Sequence, residues 1–189
     1  MDLNNIVGNL IIAPPSVKGN IWYKTVIMIV EHLSHGSIGM IINKKSDITI
    51  NELGNRLGID IDIPGFIYNG GPVNQNSISL IHTNDWSCSN TLRINDTFSI
   101  SSAKDVLERL AKNDCPCQWR LFYGMCGWAP NQLLSEIKGT PPYSHDTSWC
   151  TTSSDLNLVF NKDNKEQWIS SLNKSAEDFA KSIDLIVSI

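Results

Sequence analysis

The 189-residue sequence has no apolar run approaching the ~18 residues that a helix needs to span a bilayer. Its longest uninterrupted apolar stretch is residues 26–30. It also lacks a basic cluster. Lys44-Lys45 is the only adjacent pair among 15 Lys and Arg, and the net charge is −4. Neutralising a phosphate backbone takes clustered cations, so direct nucleic-acid binding is disfavoured. The five cysteines (Cys88, Cys115, Cys117, Cys126 and Cys150) make no C-x-x-C pair. Cys115-Pro116-Cys117 is a C-x-C unit with no second pair at ligand spacing, which argues against a zinc site and for reduced thiols. No nucleophilic-serine motif, internal repeat, low-complexity tract or long linker interrupts the chain. The first residues, Met1-Asp2-Leu3-Asn4-Asn5, lack the basic start of a secretory signal, so a cytoplasmic protein is expected.

What is present is ordinary globular material, 41 % apolar and 18 % charged. That length suits one domain over residues 1–189, large enough to build a core without disulfide staples. Residues 23–30 and 38–43 are β-rich runs joined by a Ser-His-Gly turn and read as a hairpin buried on both faces. Thr49 with Glu52 three residues on has the pattern of a capping box. Leu53 and Leu57 form the expected inner face of that helix, and Gly58 its end. Strands are predicted over 66–68 and 77–83, and a second hairpin turns at Asn95-Asp96. A helix follows Ser102, with Val106, Leu107 and Leu110 inward; then come a strand over 118–125 and a helix from Pro130 to Gly139. A short strand at 149–151 precedes helical segments at 154–160, 163–172 and 176–186, with Asp163 and Glu166 as a second capping pair. Residues 138–147 form the expected exposed loop. This order lacks regular βαβ alternation, which argues against a doubly wound parallel sheet and for an α+β fold.

Cysteine, acid–base, glycine-loop, serine and tryptophan constellations are the candidates for chemistry. Cys126 follows a strand and precedes a helix start, where a helix N-terminus favours the thiolate; a small buried residue at a turn is the plainer reading. Glu31-His32 ends a strand, and a Glu/His pair can do acid–base work, but strand neighbours point to opposite faces. His32 therefore reads first as a hydrogen-bonded residue at the sheet edge. Gly70-Gly71-Pro72 could cradle an anion, but no Lys-Ser/Thr and no helix follow, so a tight structural turn is favoured. Ser101-Ser102 and Ser153-Ser154 read as helix caps, and Trp128 and Trp149 as core or pocket wall.

Taken in order, several segments resemble one known set. They are Asn9-Leu10-Ile11-Ile12-Ala13, Val30-Glu31-His32, Gly36-Ser37-Ile38-Gly39-Met40-Ile41-Ile42-Asn43-Lys44 and Tyr68-Asn69-Gly70-Gly71-Pro72-Val73. Later come Tyr123-Gly124-Met125-Cys126-Gly127-Trp128-Ala129-Pro130-Asn131-Gln132-Leu133 and Ser154-Asp155-Leu156-Asn157-Leu158-Val159-Phe160. The chain resembles the YqgE/AlgH family of bacterial proteins over about residues 9–168. That resemblance implies an irregular mixed β-sheet curled into a pseudo-barrel with flanking helices. It implies no catalytic residue, no metal and no cofactor; some members carry the label of transcriptional regulator. The family position of Cys126 is usually small but not always Cys, which weakens a thiol mechanism. The expectation is a non-enzymatic regulatory or binding protein that acts through a protein partner or a small ligand. Glu31, His32, Asn43, Gly70, Gly71, Trp128 and Gln132 form its candidate cleft, because polar residues and turns end buried strands there. The competing expectations are an enzyme of unassigned class using His32 or Cys126, and a direct DNA-binding regulator.

Overall fold

The computed structural model describes residues 6–102, 104–143 and 148–187. Local signals place the first elements. β1 (Asn9–Ile12) leads to the hairpin of β2 (Val26–Leu33) and β3 (Gly36–Ile41). β4 (Lys45–Thr49) runs into α1 (Ile50–Leu57), capped as expected. Glu52 N–H donates to Thr49 Oγ1 at 3.1 Å, and Thr49 N–H donates back to Glu52 Oε2 at 2.8 Å. Gly58 closes the helix at φ +70°, and its N–H reaches back to helix carbonyls. Leu53 is buried, whereas Leu57, expected inward, is 52 % exposed.

β5 (Phe66–Asn69) and β6 (Val73–Thr83) follow, then the hairpin of β7 (Thr91–Arg93) and β8 (Phe98–Ser101). Asn95 Oδ1 pins that turn by accepting the N–H groups of Thr97 and Phe98, each at 2.9 Å. α2 (Lys104–Leu110) buries Val106, Leu107 and Leu110. Its start at Ser102 runs through residue 103, which lies outside the described residues. β9 (Trp119–Trp128) extends three residues past the predicted strand. α3 (Gln132–Lys138) begins after Asn131 and ends at Gly139, φ +62°. Of the expected loop, residues 138–142 are exposed and 144–147 lie outside the described residues. β10 (Cys150–Ser153) is followed by α4 (Leu156–Phe160) and α5 (Asn164–Val187). The two predicted C-terminal helices are thus one continuous helix.

The strands form one ten-stranded mixed sheet in the order β10-β1-β2-β3-β9-β6-β8-β7, curled into a half-barrel. β4 and β5 lie off that path, and β5–β9 is the parallel pair. Two features of the sheet are long-range. β1, at the chain start, pairs β10 residue for residue, Asn9 opposite Ser153 through Ile12 opposite Cys150. β9 is shared by β3, β5 and β6. Gly127 is its one exposed residue.

α5 is held by Trp168, whose indole N–H donates to Ala13 O at 2.8 Å. The turn before it is held by Arg120 of β9, only 7 % exposed. The guanidinium donates to Ile42 O, Phe160 O, Lys162 O, Gln167 Oε1 and Asp163 Oδ1, at 2.6–3.1 Å. It also lies 4.6 Å from the centre of the Tyr68 ring. The expected Asp163–Glu166 capping pair is not formed. Asp163 Oδ1 instead accepts Arg120 and the Tyr68 hydroxyl, the latter at 2.5 Å, and Glu166 pairs with Lys162. A buried cation demands a counter-charge more strongly than a helix end demands a cap.

Candidate functional site

A cavity of about 580 Å³ opens between the sheet and the helices α1 and α2. Its wall is mostly apolar: Met40 of β3, Ile78 of β6, Ile100 just inside the end of β8, Leu107 of α2 and Met125 of β9. At the rim stand Leu57 and Leu92, 52 % and 62 % exposed. Glu31 is the single ionisable side chain in the lining. It reaches the cavity because of a β-bulge. Ile29 pairs with Gly39 and Glu31 with Ile38, so Val30 is an extra residue on β2. A bulge breaks the strict alternation of faces, and Val30 and Glu31 both line the cavity. Among the described residues, the Glu31 carboxylate makes no hydrogen bond or ion pair. Ser79 also faces the cavity; it is 5 % exposed, and its hydroxyl has no partner among the described residues.

The other predicted site residues are distributed. His32 turns away from the cavity, and its Nδ1 is 2.7 Å from Ser37 Oγ. Ser37 in turn stands opposite Trp128, so His32, Ser37 and Trp128 share one cross-strand row. Trp128 and Trp149 both donate indole N–H groups to Glu136 Oε2 at 3.0 Å, and Gln132 Nε2 donates to Glu136 Oε1 at 2.8 Å. Gln132 Oε1 accepts Ala129 N–H at 2.9 Å, fixing the entry to α3. Asn43 is 1 % exposed and fully engaged. It accepts Val26 N–H and donates to Lys24 O and Asn164 O, tying the hairpin to the start of α5. Gly70 and Gly71 pass so close to β9 that a Cβ on Gly71 would sit 2.3 Å from Met125 carbonyl atoms. Gly71 N–H goes to Asn69 Oδ1 and Gly70 N–H to Tyr123 O, so neither amide is free for an anion. Gly71 lines a separate hollow of about 330 Å³.

Cys126 is not at a helix N-terminus, as the sequence suggested; it lies inside β9, 1 % exposed. Burial pushes its thiol up to about 12, outweighing a backbone hydrogen bond, so the nucleophilic thiolate is disfavoured. Ser101, expected as a cap, is a strand residue. It belongs to a directed chain in which Thr91 Oγ1 meets Ser101 Oγ at 2.7 Å and Ser101 donates to His82 Nε2 at 2.9 Å. His82 Nδ1 then donates to Thr83 O at 2.8 Å. This is a serine–histidine pair in geometry. Both members are at most 1 % exposed and Trp86 packs edge-on at 5.1 Å, so no carbonyl substrate reaches the hydroxyl.

Glu136, Ser79 and the His82–Ser101 pair were missed in the sequence. Glu136 carried a weak signal, four residues after Gln132 on a helix. Ser79 carried none, being one small residue in an alternating strand.

Fold and cavity together define an α+β half-barrel protein with a mostly apolar, half-open cavity. The chain belongs to the AlgH-like family, whose model matches residues 10–180. It is similar to a UPF0301 protein of Marinomonas, 34 % identical over 80 % of this chain and 79 % of that one. A UPF0301 protein of Azoarcus is 29 % identical over 94 % and 93 %. The solution structure of the AlgH protein from Pseudomonas aeruginosa superposes with TM-score 0.75 at 25 % identity, covering 92 % of this chain and 90 % of that one. A Corynebacterium diphtheriae protein, TM-score 0.66 at 21 % identity over 85 % and 82 %, shares the fold.

Proposed function

We propose that this chain is a non-enzymatic binding protein whose regulatory role runs through a small ligand held in the cavity beside Glu31. The observation that carries the reading is the lining itself. About 580 Å³ falls within the roughly 300–1,000 Å³ of small-molecule sites, and such sites combine apolar walls with a few placed polar groups. Of the predicted cleft residues, Glu31 belongs to this site. His32, Asn43, Trp128, Gln132, Gly70 and Gly71 support the scaffold around it through the contacts described above.

The burial of Cys126 and of the His82–Ser101 pair supports binding over catalysis. The net charge of −4 and the scattered basic residues support a ligand over nucleic acid. The cytoplasmic setting belongs to the same proposal; no helix among the described residues is long and apolar enough to cross a membrane. The test is native mass spectrometry of the protein purified from its own cells, beside Ile100→Trp, which fills the cavity. A small-molecule adduct on the wild type that the variant loses is the expected result. An adduct retained by the variant, or none on either, refutes the reading.

A further inference from the structure

Glu31 brings a carboxylate without a protein partner among the described residues into a cavity whose other lining residues are apolar or serine. A carboxylate only accepts hydrogen bonds, and no Lys, Arg or His lines the cavity to receive its charge. The one formal charge in the lining is therefore negative, and the cavity is complementary to a ligand that donates at one end and is apolar elsewhere. We infer that the cavity binds a cationic amphiphile, an aliphatic body carrying a primary ammonium group, with the ammonium at Glu31.

The inference rests on the cavity being a ligand site and specifies what enters it. The ammonium offers three donors, and Glu31 takes a charge-assisted bond from one of them. The aliphatic body then lies over Met40, Ile78, Ile100 and Met125, and its far end leaves between Leu57 and Leu92, whose exposed side chains extend the apolar surface outward. A fatty-acid anion has the opposite complementarity. Its carboxylate meets Glu31 and finds no cation.

The bulge at Val30 is part of the same design. Without the extra residue, alternation would put Glu31 and Val30 on opposite faces, and the cavity would hold one of them. The inserted residue therefore gives an apolar pocket its single charge.

The experiment uses n-octylammonium, n-octanol and n-octanoate as probes near neutral pH, where an alkylamine remains charged. Two of the four methionines, Met40 and Met125, line the cavity, so their methyl carbon–proton resonances report on occupancy. Octylammonium is expected to shift those two methyls most and to bind about tenfold more tightly than octanoate, the size of one charge-assisted contact. Glu31→Gln, close in shape to the native residue, is expected to remove that preference while octanol binding stays unchanged. Octanoate or octanol binding as tightly as octylammonium overturns the ammonium assignment and leaves the cavity as a ligand site. A preference that survives in Glu31→Gln also overturns it. Failure of all three probes to move the Met40 and Met125 methyls overturns both the assignment and the cavity reading.

Discussion

Replacing Arg120 by Met tests the centre of the tertiary structure. The change keeps most of the apolar stem and removes a guanidinium that is 7 % exposed. It deletes five donated contacts, to Ile42 O, Phe160 O, Lys162 O, Gln167 Oε1 and Asp163 Oδ1. Charge-assisted bonds contribute about 1.5–3 kcal/mol each but do not add, because the arginine has itself been taken out of water. Breaking a buried ionic network by removing one partner costs about 3–5 kcal/mol, and that is the loss expected here. Asp163 is 42 % exposed at its side chain and keeps Tyr68 and Lys45 nearby. The orphaned backbone carbonyls, more than the acid, therefore supply the cost. With a urea slope of about 2 kcal/mol per molar, the unfolding midpoint is expected to drop by about 2 M at unchanged slope. Arg120→Lys keeps the charge but loses the fork, and cannot reach the β3 end and the α4–α5 turn together; it is expected to recover less than half of the loss. A midpoint within ~0.5 M of wild type for Arg120→Met would refute the reasoning. It would mean that desolvation cancels the network and that packing alone seats α5.

Two further outcomes follow from geometry. Gly71→Ala places a Cβ 2.3 Å from Met125 backbone atoms at φ +147°, so a loss of roughly 2 kcal/mol or more is expected in urea unfolding; a wild-type midpoint would show that the β5–β6 crossing is loose. Burial lowers the His82 pKa below its ordinary 6.5, while the Thr83 carbonyl and Asp85 pull it partly back. The unfolded chain then takes up the proton first. The contribution of His82 is complete above pH 6.5 and is lost as pH falls through 6.5 toward the folded value. Stability measured from pH 7.5 to 5 is expected to decline less steeply in His82→Gln than in wild type, and equal slopes would remove His82 from the account.

Local features were legible in the residues alone. Thr49, Glu52 and Gly58 close their own hydrogen bonds within one helix, so spacing was enough to place α1. Asn95 makes its turn from bonds to its next neighbours, and the β2–β3 hairpin needs only a short loop between two apolar runs. The ordered segments also carried the family, and with it the α+β half-barrel. The site was only partly legible. Glu31 was named, but for a cleft shared with His32 and Trp128, whereas the cavity that it lines is completed by Ser79, Ile100 and Leu107 from other strands and a helix. Tertiary contacts alone decided that Val30 bulges, that β1 joins β10, that Leu57 faces a rim, and that Asp163 serves Arg120. The physical reason is range. A cap or turn is settled by bonds between residues a few positions apart. A cavity is the space left where distant segments meet, and a buried charge selects its partner from whatever the folded chain brings within reach.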